Sequence, residues 1–71
     1  MLIVDERIEE WVDRVRGEYL EMPGLSLTRW QMRRMWRFDA HVCDAVINTL
    51  VASEFLRRRR NDTYVRCGFS P

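Results

Sequence analysis

Four consecutive arginines, Arg57, Arg58, Arg59 and Arg60, are the densest reactive group in the sequence, and Arg29, Arg33 and Arg66 add further guanidinium groups. Arginine's planar fork suits phosphate, and contacts of that kind release counterions, so binding built on them weakens steeply with salt. The same run along an exposed strand also deters edge-to-edge aggregation, so a solvated edge is the bland alternative. Asn48 is of a type that pairs bidentately with adenine, although an asparagine on an open helix face also serves simply as a solvated residue. His41 has no nucleophile or orienting acid at defined spacing and reads as a surface residue. Cys43 and Cys67 lie far apart in a chain with one histidine, which fits reduced cytosolic thiols better than a disulfide or a zinc site. Cys43 reads as a small core residue and Cys67 as exposed. Glu6, Glu9, Glu10 and Asp13 cluster on a solvated face, where no burial tunes them for acid–base work. No phosphate-cradling glycine loop, metal-ligand spacing or triad is present. Neither catalysis, a cofactor, a metal nor a small-molecule ligand is expected.

The elements that must position these groups follow from periodicity. The chain has 71 residues, enough for one domain but too few to bury more than about 60% of the surface of its unfolded form, so the core is marginal. Ile8, Trp11, Val12, Val15 and Tyr19 fall at helical spacing, which predicts a helix over 5–21 with Asp5 as its cap. Glu10, Arg14 and Glu18 are spaced to pair along its outer face, and Gly17 inside it costs about 1 kcal/mol relative to Ala. Pro23-Gly24 ends this helix, and Leu25-Ser26-Leu27 alternates enough for a short strand. Thr28 and Gln31 form a capping box for a helix over 28–37, whose apolar face is Met32, Met35 and Trp36. Phe38 is expected to plug the core. Asp39 caps a third helix over 40–53, with Val42, Cys43, Val46, Ile47, Leu50 and Val51 inward and His41, Asp44, Ala45, Asn48 and Ala52 outward. Residues 55–66 read as a hairpin turning at Asn61-Asp62. A two-residue turn there sets Arg59 opposite Tyr64 and puts Leu56 and Val65 on one face. Residues 67–71 are expected to fray.

Charge is divided along the chain. Residues 1–28 hold three Arg against seven acids, a net of −4, whereas residues 29–71 hold nine Arg against four acids, a net of +5. One half repels a polyanion and the other attracts it. The absence of lysine favours planar contacts to phosphate, carboxylate or aromatic faces, and equally fits a bias in genomic base composition. No apolar stretch is long enough to span a bilayer, and Met1-Leu2-Ile3-Val4 is too short and unflanked to be a signal peptide, so a cytoplasmic location is expected.

Leu27-Thr28, Gln31, Met35-Trp36, Phe38-Asp39, Leu50-Val51, Phe55-Leu56-Arg57 and Tyr64-Val65-Arg66, in that order, resemble a winged helix-turn-helix domain of the short bacterial type of unassigned role. The resemblance covers residues 25–66, with 8–20 as the preceding helix. It implies an α+β fold, a three-helix core with a hairpin wing after the third helix, and a function in DNA binding or transcription regulation. Two turns depart from the family, which often places glycine between its central helices and at the wing tip, where this chain has Arg37 and Asn61-Asp62. The third helix is also poor in groups that read bases.

Two functions remain open. In the first, double-stranded DNA is the partner. The third helix enters the major groove through His41, Ala45 and Asn48, Arg58, Arg59, Arg60 and Arg66 hold the backbone, and Arg29 and Arg33 add phosphate contacts. In the second, the small-residue face of Ala45, Asn48 and Ala52 meets a protein, with Trp30 as an aromatic anchor. Trp30 and Met1–Val4 also make a second copy of the chain a candidate partner.

Overall fold

The computed structural model describes residues 6–68. Asp5 as a helix cap, the apolar Met1–Val4 segment and the tail beyond Gly68 lie outside them, as does the side chain of Glu6.

Helix α1 (Glu6–Glu21) buries Val12, Val15 and Tyr19 and packs Ile8 and Trp11 against the same core. The stripe is the one its periodicity dictates. The Glu10–Arg14–Glu18 pairs do not form: Arg14 lies over the Trp11 ring at 5.6 Å, and among the described residues the ion pair on this helix joins Arg16 to Asp13 at 3.6 Å. Strand β1 (Ser26–Thr28) leads directly into α2 (Arg29–Trp36). Thr28 Oγ1 accepts from the Gln31 N–H at 3.0 Å, and Gln31 Oε1 accepts from the Thr28 N–H at 2.8 Å. Two N-terminal amides that a helix leaves unpaired are thereby satisfied.

Only Met32 of α2 is buried; Trp36 is half-buried and Met35 is 48% exposed. The expected three-residue apolar face is thus narrower: α2 spans barely two turns, and Phe38, just beyond it, is the residue that reaches the core. Phe38 is buried and meets Trp11 edge-on, with ring centroids 5.0 Å apart. Arg37, between α2 and the next helix, adopts the left-handed conformation at φ 56, ψ 34.

Helix α3 (Ala40–Ala52) is capped by Asp39, whose Oδ1 accepts from the Val42 N–H at 2.8 Å. It buries Cys43, Val46, Ile47 and Leu50. Val51, expected inward, is 39% exposed, because it lies about a quarter-turn from the middle of the arc that Cys43, Val46, Ile47 and Leu50 bury. The helix ends in a Schellman arrangement: the Phe55 N–H donates to Leu50 O at 2.9 Å, the Glu54 N–H donates to Val51 O at 3.0 Å, and Glu54 is left-handed at φ 61.

Strands β2 (Leu56–Arg58) and β3 (Thr63–Arg66) form an antiparallel hairpin, and β1 pairs antiparallel with β3 to give a three-stranded sheet of order β1-β3-β2. The register sets Arg58 opposite Tyr64 and Leu56 opposite Arg66. This corrects the expected pairing of Arg59 with Tyr64. The turn spans residues 60–62, with Arg59 N–H donating to Thr63 O at 2.8 Å and a left-handed Asp62 at φ 61. A two-residue type I′ turn needs two positive-φ residues, whereas a three-residue loop needs one, and Asn61-Asp62 without glycine supplies one. The slip of one residue reverses the faces. Leu56 and Tyr64 go to the core together and Val65 joins Arg57 on the other side. Cys67 does not fray, because its N–H donates to Phe55 O at 2.8 Å. The described residues thus make an α+β arrangement in which three helices and one face of a small sheet share a core. The Tyr19 hydroxyl joins the layers, donating to Tyr64 O at 2.7 Å.

Candidate nucleic-acid interface

Three sets of arginines follow from these elements. The hairpin alternates its side chains, so Arg57 and Arg59 lie on the outer face of the sheet with Val65 and Thr63, while Arg58 lies on the face of Tyr64. Arg60 sits in the loop, and all four are exposed. The loop is braced locally: Asn61 Oδ1 accepts from the Thr63 hydroxyl at 2.6 Å and from its N–H at 3.3 Å. Arg58 pairs with Asp62 across the loop at 3.6 Å, both largely exposed, a contact worth well under 1 kcal/mol. Arg66 is apart from this set. It lies at the foot of the hairpin, half-buried, with its guanidinium 5.9 Å from the Phe55 ring centroid, and Arg16 lies 5.5 Å from the same ring.

The second set is on α2. Trp30 is 60% exposed and carries the Arg34 guanidinium 4.8 Å from its ring centroid, within the range of a cation–π contact. Arg33 and Arg37 line the same groove as Trp30 and Arg34. The sequence names Arg33 as a phosphate contact and sets Arg34 beside Trp30 as part of a protein contact, but gives neither Arg34 nor Arg37 a role toward phosphate. The signal was present, since residues 30, 33, 34 and 37 recur at the spacing of one helix face. Among the described residues no carboxylate lies within ion-pair distance of Arg33, Arg34, Arg37, Arg57, Arg59 or Arg60.

The third set joins α2 to α3. Arg29 Nε lies 3.1 Å from Asp44 Oδ1, with each side chain about half exposed. That oxygen is itself shielded from solvent and accepts no well-aligned hydrogen bond, so the contact is one of charge rather than of direction. The pair neutralises the acid that would repel a polyanion from α3, and it occupies Arg29. Beside it, burial pushes the Cys43 thiol up; Asp44 adds to the rise, and Arg29 and Arg33 work against it. Its Sγ–H is directed at Arg29 O, 3.7 Å away. A protonated, enclosed thiol is a packing group, not a nucleophile.

On the outer side of α3, His41, Asn48 and Ala52 are exposed and Ala45 is half-buried. Thr49, which sequence reasoning passed over, is also exposed, but its hydroxyl is engaged with Ala45 O at 2.7 Å. The helix therefore offers two free polar side chains, His41 and Asn48, to whatever meets it. A separate cleft of about 410 Å³ beside Trp11 holds both signs of charge, Glu10 and Asp39 with Arg14 and Arg37.

Among the described residues no three His, Cys, Asp or Glu side chains converge as metal ligands would, and no helix is long and apolar enough to cross a membrane. Comparison with models of known protein families, with curated proteins and with solved structures finds no match.

Proposed function

We propose that this chain is a non-catalytic winged-helix module that binds double-stranded DNA chiefly through its phosphates. The order of the elements supports the winged-helix reading: a helix, a short strand, two helices in close succession and a hairpin, with β1 completing the sheet. The observation that carries the function is the set of six exposed arginines with no carboxylate partner among the described residues, divided between α2 with its C-cap and the hairpin. Cations left unpaired and solvated cost little in the free protein and are ready to replace counterions on a polyanion. In this reading α3 presents His41 and Asn48 to the major groove, with Ala45 between them, and reads sequence weakly. Arg57, Arg59 and Arg60 hold the backbone from the wing, while Arg66 stays with Phe55.

Affinity for random duplex measured across a salt series tests this. The logarithm of the binding constant should fall linearly with the logarithm of salt, and Arg59→Ala with Arg60→Ala should lessen that slope by about 2, roughly one for each lost phosphate contact. Absence of binding at low salt, or an unaltered slope, would reject the proposal.

One observation favours a second reading. Val51 and Ala52 are exposed at the end of α3, a helix whose one acid, Asp44, is neutralised by Arg29 of α2. A charge-poor face suits a protein, whether another chain or a second copy of this one. Ala52→Arg should then abolish association seen by sedimentation or by capture from the host, and unchanged association would count against it.

A further inference from the structure

We propose that the Trp30 side of α2 is a track for single-stranded nucleic acid, with an unpaired base stacked on the indole. The inference rests on the polyanion reading above but assigns a different ligand and a different face from α3. Trp30 is the most exposed of the large apolar side chains among the described residues, and it stands where two surface grooves adjoin. One, of about 320 Å³, runs toward the hairpin between Arg29 and Arg58. The other, of about 280 Å³, runs toward the α2–α3 turn past Arg33, Arg34 and Arg37. The ion-paired Arg29 and Arg58 thus lie on one side of the indole and the unpaired Arg33, Arg34 and Arg37 on the other, and free cations beside an aromatic face are the arrangement in which a strand's phosphates are held while a base stacks.

Charge selects the ligand class. The two acids near the track are matched, Asp62 by Arg58 at 3.6 Å and Asp44 by Arg29 at 3.1 Å. Arg33, Arg34 and Arg37 remain as net positive charge along the indole. A neutral apolar partner would leave them unanswered; a polyanion does not. The state of the bases selects the single strand, because duplex bases are already stacked on one another and present edges rather than faces. The Arg34 guanidinium lies over one face of the indole at 4.8 Å, so a base would stack on the other face, with Arg34 beside it to meet a phosphate.

The test is fluorescence anisotropy with short labelled oligo(dT), oligo(U) and a random duplex at one salt concentration. Trp30→Ala should weaken single-strand binding by roughly tenfold, the effect of one stacked base, with duplex binding held within about twofold. Trp30→Phe, which keeps a ring, should retain most of the affinity. A loss confined to the DNA or to the RNA oligomer would assign the track to that strand, and a loss on both to single strands in general. Because Trp30 is on the surface, the melting temperature of the variants should match the parent's. Unchanged single-strand affinity in Trp30→Ala, or an equal loss on the duplex, overturns the inference. Binding of duplex but not of single strands overturns it while leaving the proposed function intact; binding of single strands alone does the reverse.

Discussion

Tyr19 and Cys43 show how single residues tie stability to pH. The Tyr19 phenol is enclosed by α1 and the sheet, and burial raises it above its ordinary 10.0, against a smaller downward pull from the Leu27 backbone. Cys43 is raised above its ordinary 9.0, again chiefly by burial. Each group is neutral in the fold and gives up its proton more readily in the unfolded chain. Stability from both is therefore complete below pH 9 and declines as pH rises, first through Cys43 and then, above pH 10, through Tyr19. The urea midpoint is expected to drop across that window. Cys43→Ala should remove the earlier part of the drop. Tyr19→Phe should remove the later part and, by losing the bond to Tyr64 O, lower neutral-pH stability by about 1 kcal/mol. A flat midpoint from about pH 8 to about pH 11 would contradict this account.

At the scale of elements, Gly17 and Glu54 are each the wrong residue for their backbone, in opposite senses. Gly17 lies within α1, and a Cβ there would meet nothing within 4 Å. Gly17→Ala should stabilise by about 0.5–1 kcal/mol, since it narrows the unfolded ensemble without a clash. Glu54 has the reverse problem. It is left-handed at the end of α3, where a Cβ is crowded, and Glu54→Gly should stabilise by about 1 kcal/mol. Thermal denaturation of both variants checks the pair, with a rise of roughly 4–8 °C per kcal/mol for a domain of this size; a fall in either would show that the local account is wrong. Arg37 is the same kind of outlier at the α2–α3 turn, but it also lines the Trp30 groove. Its strain therefore stands where contact is proposed.

Over the whole molecule, the hairpin is part of the core rather than an appendage. Leu56 and Tyr64 are buried with Val15, Met32 and Leu50 in one cluster, so the hairpin and helices should unfold together. Leu56→Ala is expected to cost about 2–5 kcal/mol, a large share of the roughly 4–10 kcal/mol available to a chain of this length. Helical circular dichroism and hairpin-localised probes should lose signal in a single, lowered transition. A variant that melts its hairpin while the helices persist would contradict this. The division of charge works at the same scale: the acidic half is α1, the arginine-rich half is α2, α3 and the hairpin, and a polyanion approaching the molecule is turned toward the second.

Much of this was legible in the sequence because it depends on neighbours along the chain. Thr28 with Gln31 and Asp39 before Val42 announce two helix starts, since a cap and its amide lie three residues apart. The buried stripe of α1 follows from its period alone. The register of the hairpin, the burial of Met35 and Val51, and the partners of Arg29, Arg58 and Arg66 were not legible. Each depends on tertiary packing or on the turn geometry, which spacing along the chain does not fix. One positive-φ residue rather than two at Asn61-Asp62 turned Tyr64 to the core and Val65 outward, and Asp44, on another helix, took Arg29. Composition and spacing by themselves determined that the chain makes three amphipathic helices with an arginine-rich strand pair after them. Only the tertiary structure decided which arginines stay unpaired, because pairing depends on distances of a few ångströms between elements that the linear order does not fix.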